Sequence, residues 1–201
     1  LGRAPSMSES SSPGTLTHAL LLAIDGLMMR EVLSYSLSEL HGEMVSIADG
    51  VLPGAKAFQL QQQNGSTMRW PLVPPAGYVA PCRRQEARPF TPMPRSLEPT
   101  SMPQVHMIIC ALDYKKTKFP LTCSLDAEHM TSLARLCNTR VETLYNESAT
   151  TANLSQLIRK VGSRCGPGDY FVFYYAGHGA SLPDQDGDED DGLDEAFCLV
   201  D

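Results

Sequence analysis

The 201-residue sequence predicts an α/β fold over residues 105–201, built as a parallel sheet with helices on both faces. Three observations carry that reading. Two runs, VHMIICAL from Val105 and YFVFYY from Tyr170, are apolar or aromatic at almost every position. A strand with one wet face would alternate, so unbroken runs are expected to be covered on both sides. Between them lie two stripes of helical period, and the connections are short, which points to parallel crossovers.

The preceding segment is expected to be helical and then disordered and Pro-rich. Residues 1–15 are rich in Ser, Gly and Pro and are expected to be disordered. From Leu16 to Ile47, Leu20, Ile24, Leu27, Met28, Val32, Leu33, Leu37, Leu40 and Met44 recur at roughly helical spacing. They predict a helical segment within 16–60, either one long helix or two shorter ones broken near Gly26 or Gly42. In 61–104 a glutamine run, Gln61 to Gln63, precedes nine prolines between Pro71 and Pro103. Proline lacks a donor and fixes φ, so this stretch reads as a linker or prodomain with polyproline-II character. Arg83, Arg84, Arg88 and Arg95 within it would suit a protease that cuts after basic residues, but the sequence alone favours an ordinary solvated linker.

In 105–201 the first strand gives way to a polar loop, Asp113 to Thr122. Leu125, Met130, Leu133, Ala134, Leu136 and Cys137 then form a helical stripe, with Ser124 as its expected N-cap. Val141 to Leu144 reads as a short strand. Thr150 or Thr151 caps a second helix, whose face is Leu154, Leu157, Ile158 and Val161. Gly166 to Asp169 turns the chain into YFVFYY, expected to be buried on both faces.

Composition excludes several functions. The net charge of −7 argues against nucleic-acid binding, which needs a basic face. The acids are unevenly placed, with nine and no base from Asp184 to Asp201. The run Ala19 to Met29 is broken by Asp25 and falls short of the ~20 apolar residues of a membrane span. It also lacks the flanks of a signal peptide. The chain opens at Leu1 rather than Met, so the natural N-terminus is expected upstream. Six cysteines without a C-x-x-C pair argue against a zinc site. Cys110, Cys137 and Cys198 lie in apolar patterns and read as buried thiols of a reducing, cytoplasmic compartment.

The chemistry concentrates after Tyr170. A strand running into Ala176-Gly177-His178-Gly179 delivers His178 to the carboxyl end of the sheet, where α/β folds bind ligands. The flanking glycines permit a sharp turn and close approach of a substrate, and Gly179 offers a bare N–H to a developing oxyanion. A lone histidine is more often structural than catalytic, and its placement at a strand end between glycines raises its candidacy.

These residues, together with Ile109 to Tyr114, Leu121 to Met130, Pro167-Gly168-Asp169 and the acidic DGDEDDG run leading to a V-D pair, give residues 105–201 a resemblance to the caspase-like domain of metacaspases. These are clan CD cysteine peptidases, and the Pro/Gln-rich segment resembles a type I prodomain. The resemblance implies an endopeptidase with a Cys–His dyad, specific for Arg or Lys, activated by calcium, made as a zymogen and monomeric. It implies that His178 moves the proton, that Gly179 N–H contributes to the oxyanion hole, and that Cys123 and Asp126 line the first specificity pocket. A carboxylate at the floor of that pocket pairs with a guanidinium or ammonium group. Without the resemblance, Asp126 is simply an acid in a helix's first turn, favoured by the dipole.

Two departures stand out. Ala176 replaces the serine often found before Gly-His-Gly in the family. No nucleophile is found: caspases place the cysteine about 50 residues after the histidine, whereas 23 residues follow His178 here. Cys198, in the apolar run Ala196 to Val200, is expected to be buried and inert, so the chain reads as a fragment unable to cleave peptides. In the acidic run, Asp184, Asp186, Asp188 and Asp190 with Glu195 mimic EF-hand spacing, but Glu189 stands where the loop needs Gly. The EF-hand is rejected. The resemblance instead implies Asp194 as a calcium ligand whose companions lie beyond Asp201. The alternative to an enzyme is a non-catalytic caspase-like scaffold or regulator acting through its N-terminal half.

Overall fold

The computed structural model describes residues 15–51, 68–78, 80, 103–184, 187 and 192–201. The expectations for residues 1–14, for Gln61 to Gln63, for the four linker arginines and for most of the acidic run fall outside these. The elements in chain order are helices α1 (Thr15–Met29) and α2 (Leu37–Val51), strand β1 (Val105–Ala111), helix α3 (Cys123–Leu136), strand β2 (Arg140–Tyr145), a 3-10 turn at Asn146–Ser148, helix α4 (Thr151–Gly162), strand β3 (Tyr170–Ala176) and the strands β4 (Gly179–Pro183) and β5 (Leu193–Phe197).

β1, β2 and β3 form a parallel sheet in the order β2-β1-β3, and β4 pairs antiparallel with β5. The central position of β1 explains its composition. Side chains alternate across a sheet. Met107, Ile109 and Ala111 pack with residues of α1 and α3, among them Leu21, Ile24, Ala127 and Met130. Ile108 packs on the other face against Leu154, Leu157 and Val161 of α4. Both faces are therefore covered, and every residue of β1 from His106 onward is buried.

β3 behaves differently from expectation. It is an edge strand of the described sheet, most of its residues are half-buried, and Phe171 is 44% exposed. An apolar run fixes what a strand can tolerate, and its neighbours decide how much is covered. On one face, Phe197 at the end of β5 places its ring 4.3 Å from that of Tyr175 and edge-on to Phe173 at 5.6 Å.

Two helix boundaries also differ. The break in the N-terminal helical segment falls at Arg30 to Ser36, and both Gly26 and Gly42 lie inside helices. The cause is a capping box: Glu39 N–H donates to the Ser36 hydroxyl at 3.1 Å while Ser36 N–H donates to the Glu39 carboxylate at 2.7 Å. In α3 the N-cap position is Thr122, without a side-chain bond, and Ser124 is a receiver of help instead of a cap. Its N–H and hydroxyl donate to the two carboxylate oxygens of Asp113 at 2.7 and 2.8 Å. Thr150 caps α4 as expected, accepting from Asn153 N–H at 3.1 Å.

The described part of the expected linker is not detached. Trp70 N–H donates to Tyr35 O, Leu37 N–H donates to Met68 O, and Leu72 is fully buried in the same apolar cluster as α1. Among the described residues, no helix is long and apolar enough to cross a membrane.

Candidate active site

The register of the sheet brings the site together. Ala111 pairs with Ala176, and Leu112 N–H donates to Ala176 O at 3.0 Å. The segments that leave β1 and β3, Asp113-Tyr114 and Gly177-His178-Gly179, therefore emerge side by side at the carboxyl edge of the sheet. The Tyr114 ring lies 4.6 Å from the His178 imidazole, tilted by 38°. His178 Nε2 is 2.7 Å from the carbonyl oxygen of Phe119 in the loop after β1. A carbonyl can only accept, so this bond places a proton on Nε2. In the neutral ring the lone pair is then on Nδ1, the nitrogen left to act as a base.

Asp113 organises the loop that supplies Phe119. It is fully buried, and besides receiving Ser124 it donates its own N–H to Asn146 Oδ1 at 2.8 Å and accepts from Leu121 N–H at 2.6 Å. Burial by itself would raise its pKa. The Ser124 N–H and hydroxyl and the Lys115 ammonium outweigh that and hold the carboxyl below its ordinary value. The start of α3 is thereby tied to the end of β1.

Cys123 and Asp126 occupy that first turn of α3, and both are buried. The Cys123 thiol is pushed up to about 11, first by burial, then by the negative charges of Asp126 and Asp113. The Tyr174 phenol is also raised, chiefly by burial and against the effect of its 2.7 Å hydrogen bond with Thr17, and Asp126 and Cys123 add to the shift. Cys123 and Asp126 are thus buried together in the first turn of α3, and half-buried Tyr174 of β3, bonded to Thr17 of α1, feels the charge of both.

Gly179 opens β4 opposite Phe197. Cys198, expected to be a buried strand residue, lies past the end of β5 and is half-buried. Asp194 sits on β5 opposite Leu182. Among the described residues, no group of three or more His, Cys, Asp or Glu side chains is placed to hold a metal ion. A calcium ion takes about six to eight oxygens, so these residues do not by themselves form a calcium site, and no step is derived through one.

Three contributors escaped the sequence reading: Tyr114, the Phe119 carbonyl and Asp113. The acid directly after a buried run was visible in ALDY, but a carbonyl's role depends on loop shape, which no side-chain pattern encodes.

Residues 103–201 match the family profile described as "Metacaspase, peptidase C14 domain". The chain is 32% identical over 120 residues to Metacaspase-3 of Arabidopsis thaliana, covering 53% of this chain and 33% of that protein. It is 44% identical over 52 residues to Metacaspase-1A of Aspergillus terreus, covering 26% of this chain and 13% of that protein. The aligned part thus spans a third or less of these relatives. A solved protein from Geobacter sulfurreducens is 35% identical, covering 49% of this chain and 40% of that one, with a TM-score of 0.43.

Proposed function

Residues 103–201 of this chain form a caspase-like domain of the metacaspase family, and from that premise we propose that the complete protein is a cysteine endopeptidase cleaving after Arg or Lys. The observation that carries the proposal is the His178 imidazole at the carboxyl edge of the sheet, with Nε2 bound to Phe119 O and Nδ1 free to act as base. In this reading His178 takes the proton of the nucleophilic thiol at Nδ1. The thiolate attacks the scissile carbonyl, and the negative charge on its oxygen meets Gly179 N–H. The C–N bond then breaks as His178 returns the proton to the leaving amine, and water hydrolyses the thioester by the reverse proton path.

The thiol is supplied by sequence outside this chain. Three of the five described cysteines are poor nucleophiles: burial pushes Cys110 up to about 11 and Cys137 up to about 12, and Cys123 is raised likewise. Thiols so raised are not thiolates at neutral pH. The buried Asp126 carboxylate supports Arg or Lys in the first pocket, because a cation entering there gains a charge-assisted bond. We also read Asp194 as one calcium ligand of the complete protein, the linker arginines as self-cleavage sites of a zymogen, and the working form as a cytoplasmic monomer.

The test is hydrolysis of Arg-terminated and Asp-terminated fluorogenic peptides by the complete protein, with calcium and with chelator. Cleavage of the first alone, and only with calcium, is expected. Cleavage of neither in both conditions would replace the enzyme by a caspase-like scaffold. Calcium binding that survives Asp194→Ala unchanged would remove Asp194 from the ligand set.

A further inference from the structure

We propose that Tyr114 and Tyr175 are positioning residues that clamp the peptide groups of His178 and so hold its imidazole in the orientation the chemistry needs. The proposal rests on reading His178 as the base.

The hydrogen bonds form one consistent chain. His178 N–H donates to the Tyr114 hydroxyl at 3.1 Å. Tyr114 O–H donates to Cys198 O at 2.5 Å. Tyr175 O–H donates to His178 O at 2.8 Å, with Cys198 O a longer alternative at 3.2 Å. The two phenol oxygens are 3.0 Å apart. Each hydroxyl has one proton, and each is used on a carbonyl that can only accept. Cys198 N–H donates to His178 O at 3.0 Å, so both peptide groups of His178 are engaged.

The clamp answers a need set by the sequence. His178 lies between Gly177 and Gly179, and glycine gives the backbone the most freedom to lose. Without outside contacts this turn would spread the imidazole over many positions. Gly177 shows how closely the phenols approach. A Cβ there would overlap the Tyr175 hydroxyl and come within 2.7 Å of the Tyr114 hydroxyl. Tyr114 additionally lays its ring against the imidazole. Burial raises the Tyr175 phenol far above its ordinary value, with the neighbouring Tyr114 adding to the shift.

The experiment uses Tyr114→Phe and Tyr175→Phe, which keep the rings and remove only the hydroxyls. In the 201-residue chain, amide exchange by NMR is expected to accelerate about tenfold at His178 in Tyr114→Phe, with Ile108 and Ile109 unchanged. In the complete protein, kcat is expected to fall about tenfold or more in both variants at unchanged KM. Tyr145→Phe, which loses a comparable bond to Thr131 away from His178, serves as control and is expected to move neither. Unchanged exchange at His178, or a fall in kcat no larger than that of Tyr145→Phe, would overturn the clamp. If the wild-type complete protein cleaves nothing, the functional reading fails, and the exchange measurement still decides whether the clamp exists.

Discussion

β1, VHMIICA, and β3, YFVFYYA, are seven-residue strands without an alternating polar face and paired in register, the first largely aliphatic and the second largely aromatic, and they occupy different environments. β1 has a strand on each side and a helix layer on each face, and its side chains from His106 onward are buried. β3 has β1 on one side and stays partly open, with Phe171 nearly half exposed. The difference separates two tasks. β1 is the strand about which the fold is packed, while β3 carries His178 and meets α1, α3 and the β4–β5 hairpin through individual contacts, such as Thr17 to Tyr174 and Phe197 to Tyr175.

The sharpest way to break the comparison is to cut a cavity in the packed strand. Ile109→Ala removes a fully buried side chain between α1 and α3 and is expected to cost about 2–5 kcal/mol in denaturant unfolding. Asp113→Ala comes next, at about 1–3 kcal/mol, because it removes a fully buried acceptor and leaves the half-buried Ser124 donors without it. The same residue gives a pH signature. The Asp113 pKa is depressed in the folded state, so its stabilisation is complete above the ordinary carboxylate value of about 4. It is lost as pH falls through the lower folded value. The difference in stability between Asp113→Asn and the parent is therefore expected to shrink in acid below about pH 4. A difference independent of pH would show that the charge is not what Ser124 requires.

Smaller effects are expected away from the central strand. Thr150→Ala removes the α4 cap and should cost about 1 kcal/mol. Phe171→Ala on the open strand should stay within about 0.5 kcal/mol of the parent, as for a surface substitution. A loss there as large as that at Ile109 would mean that β3 is covered in solution as fully as β1.

Much of this architecture is legible in the sequence because one residue often decides one feature. The unbroken VHMIICA run marks a central strand, Thr150 marks a helix start, and a glycine-flanked histidine after an aromatic strand marks the site. Ser36 and Glu39 spell a capping box too, three residues apart as the motif requires, although helix-breaking glycines drew the break elsewhere. Other features rest on assembly. Whether YFVFYY is covered depends on what packs beside it, and Leu72 is buried in a Pro-rich stretch because α1 and α2 present an apolar surface to it. The role of Tyr114 follows from the turn that brings its hydroxyl to His178 N, a distance of 64 residues along the chain that no local pattern records.

The central claim is that His178 is the base of a cysteine peptidase, and it is tested most directly by His178→Ala in the complete protein. Hydrolysis of an Arg-terminated peptide would be followed beside a thermal unfolding curve. The account predicts loss of hydrolysis with the unfolding curve essentially unchanged, since His178 is partly exposed and lies outside the packed strands. Hydrolysis that continues at the parental rate without the imidazole would contradict it.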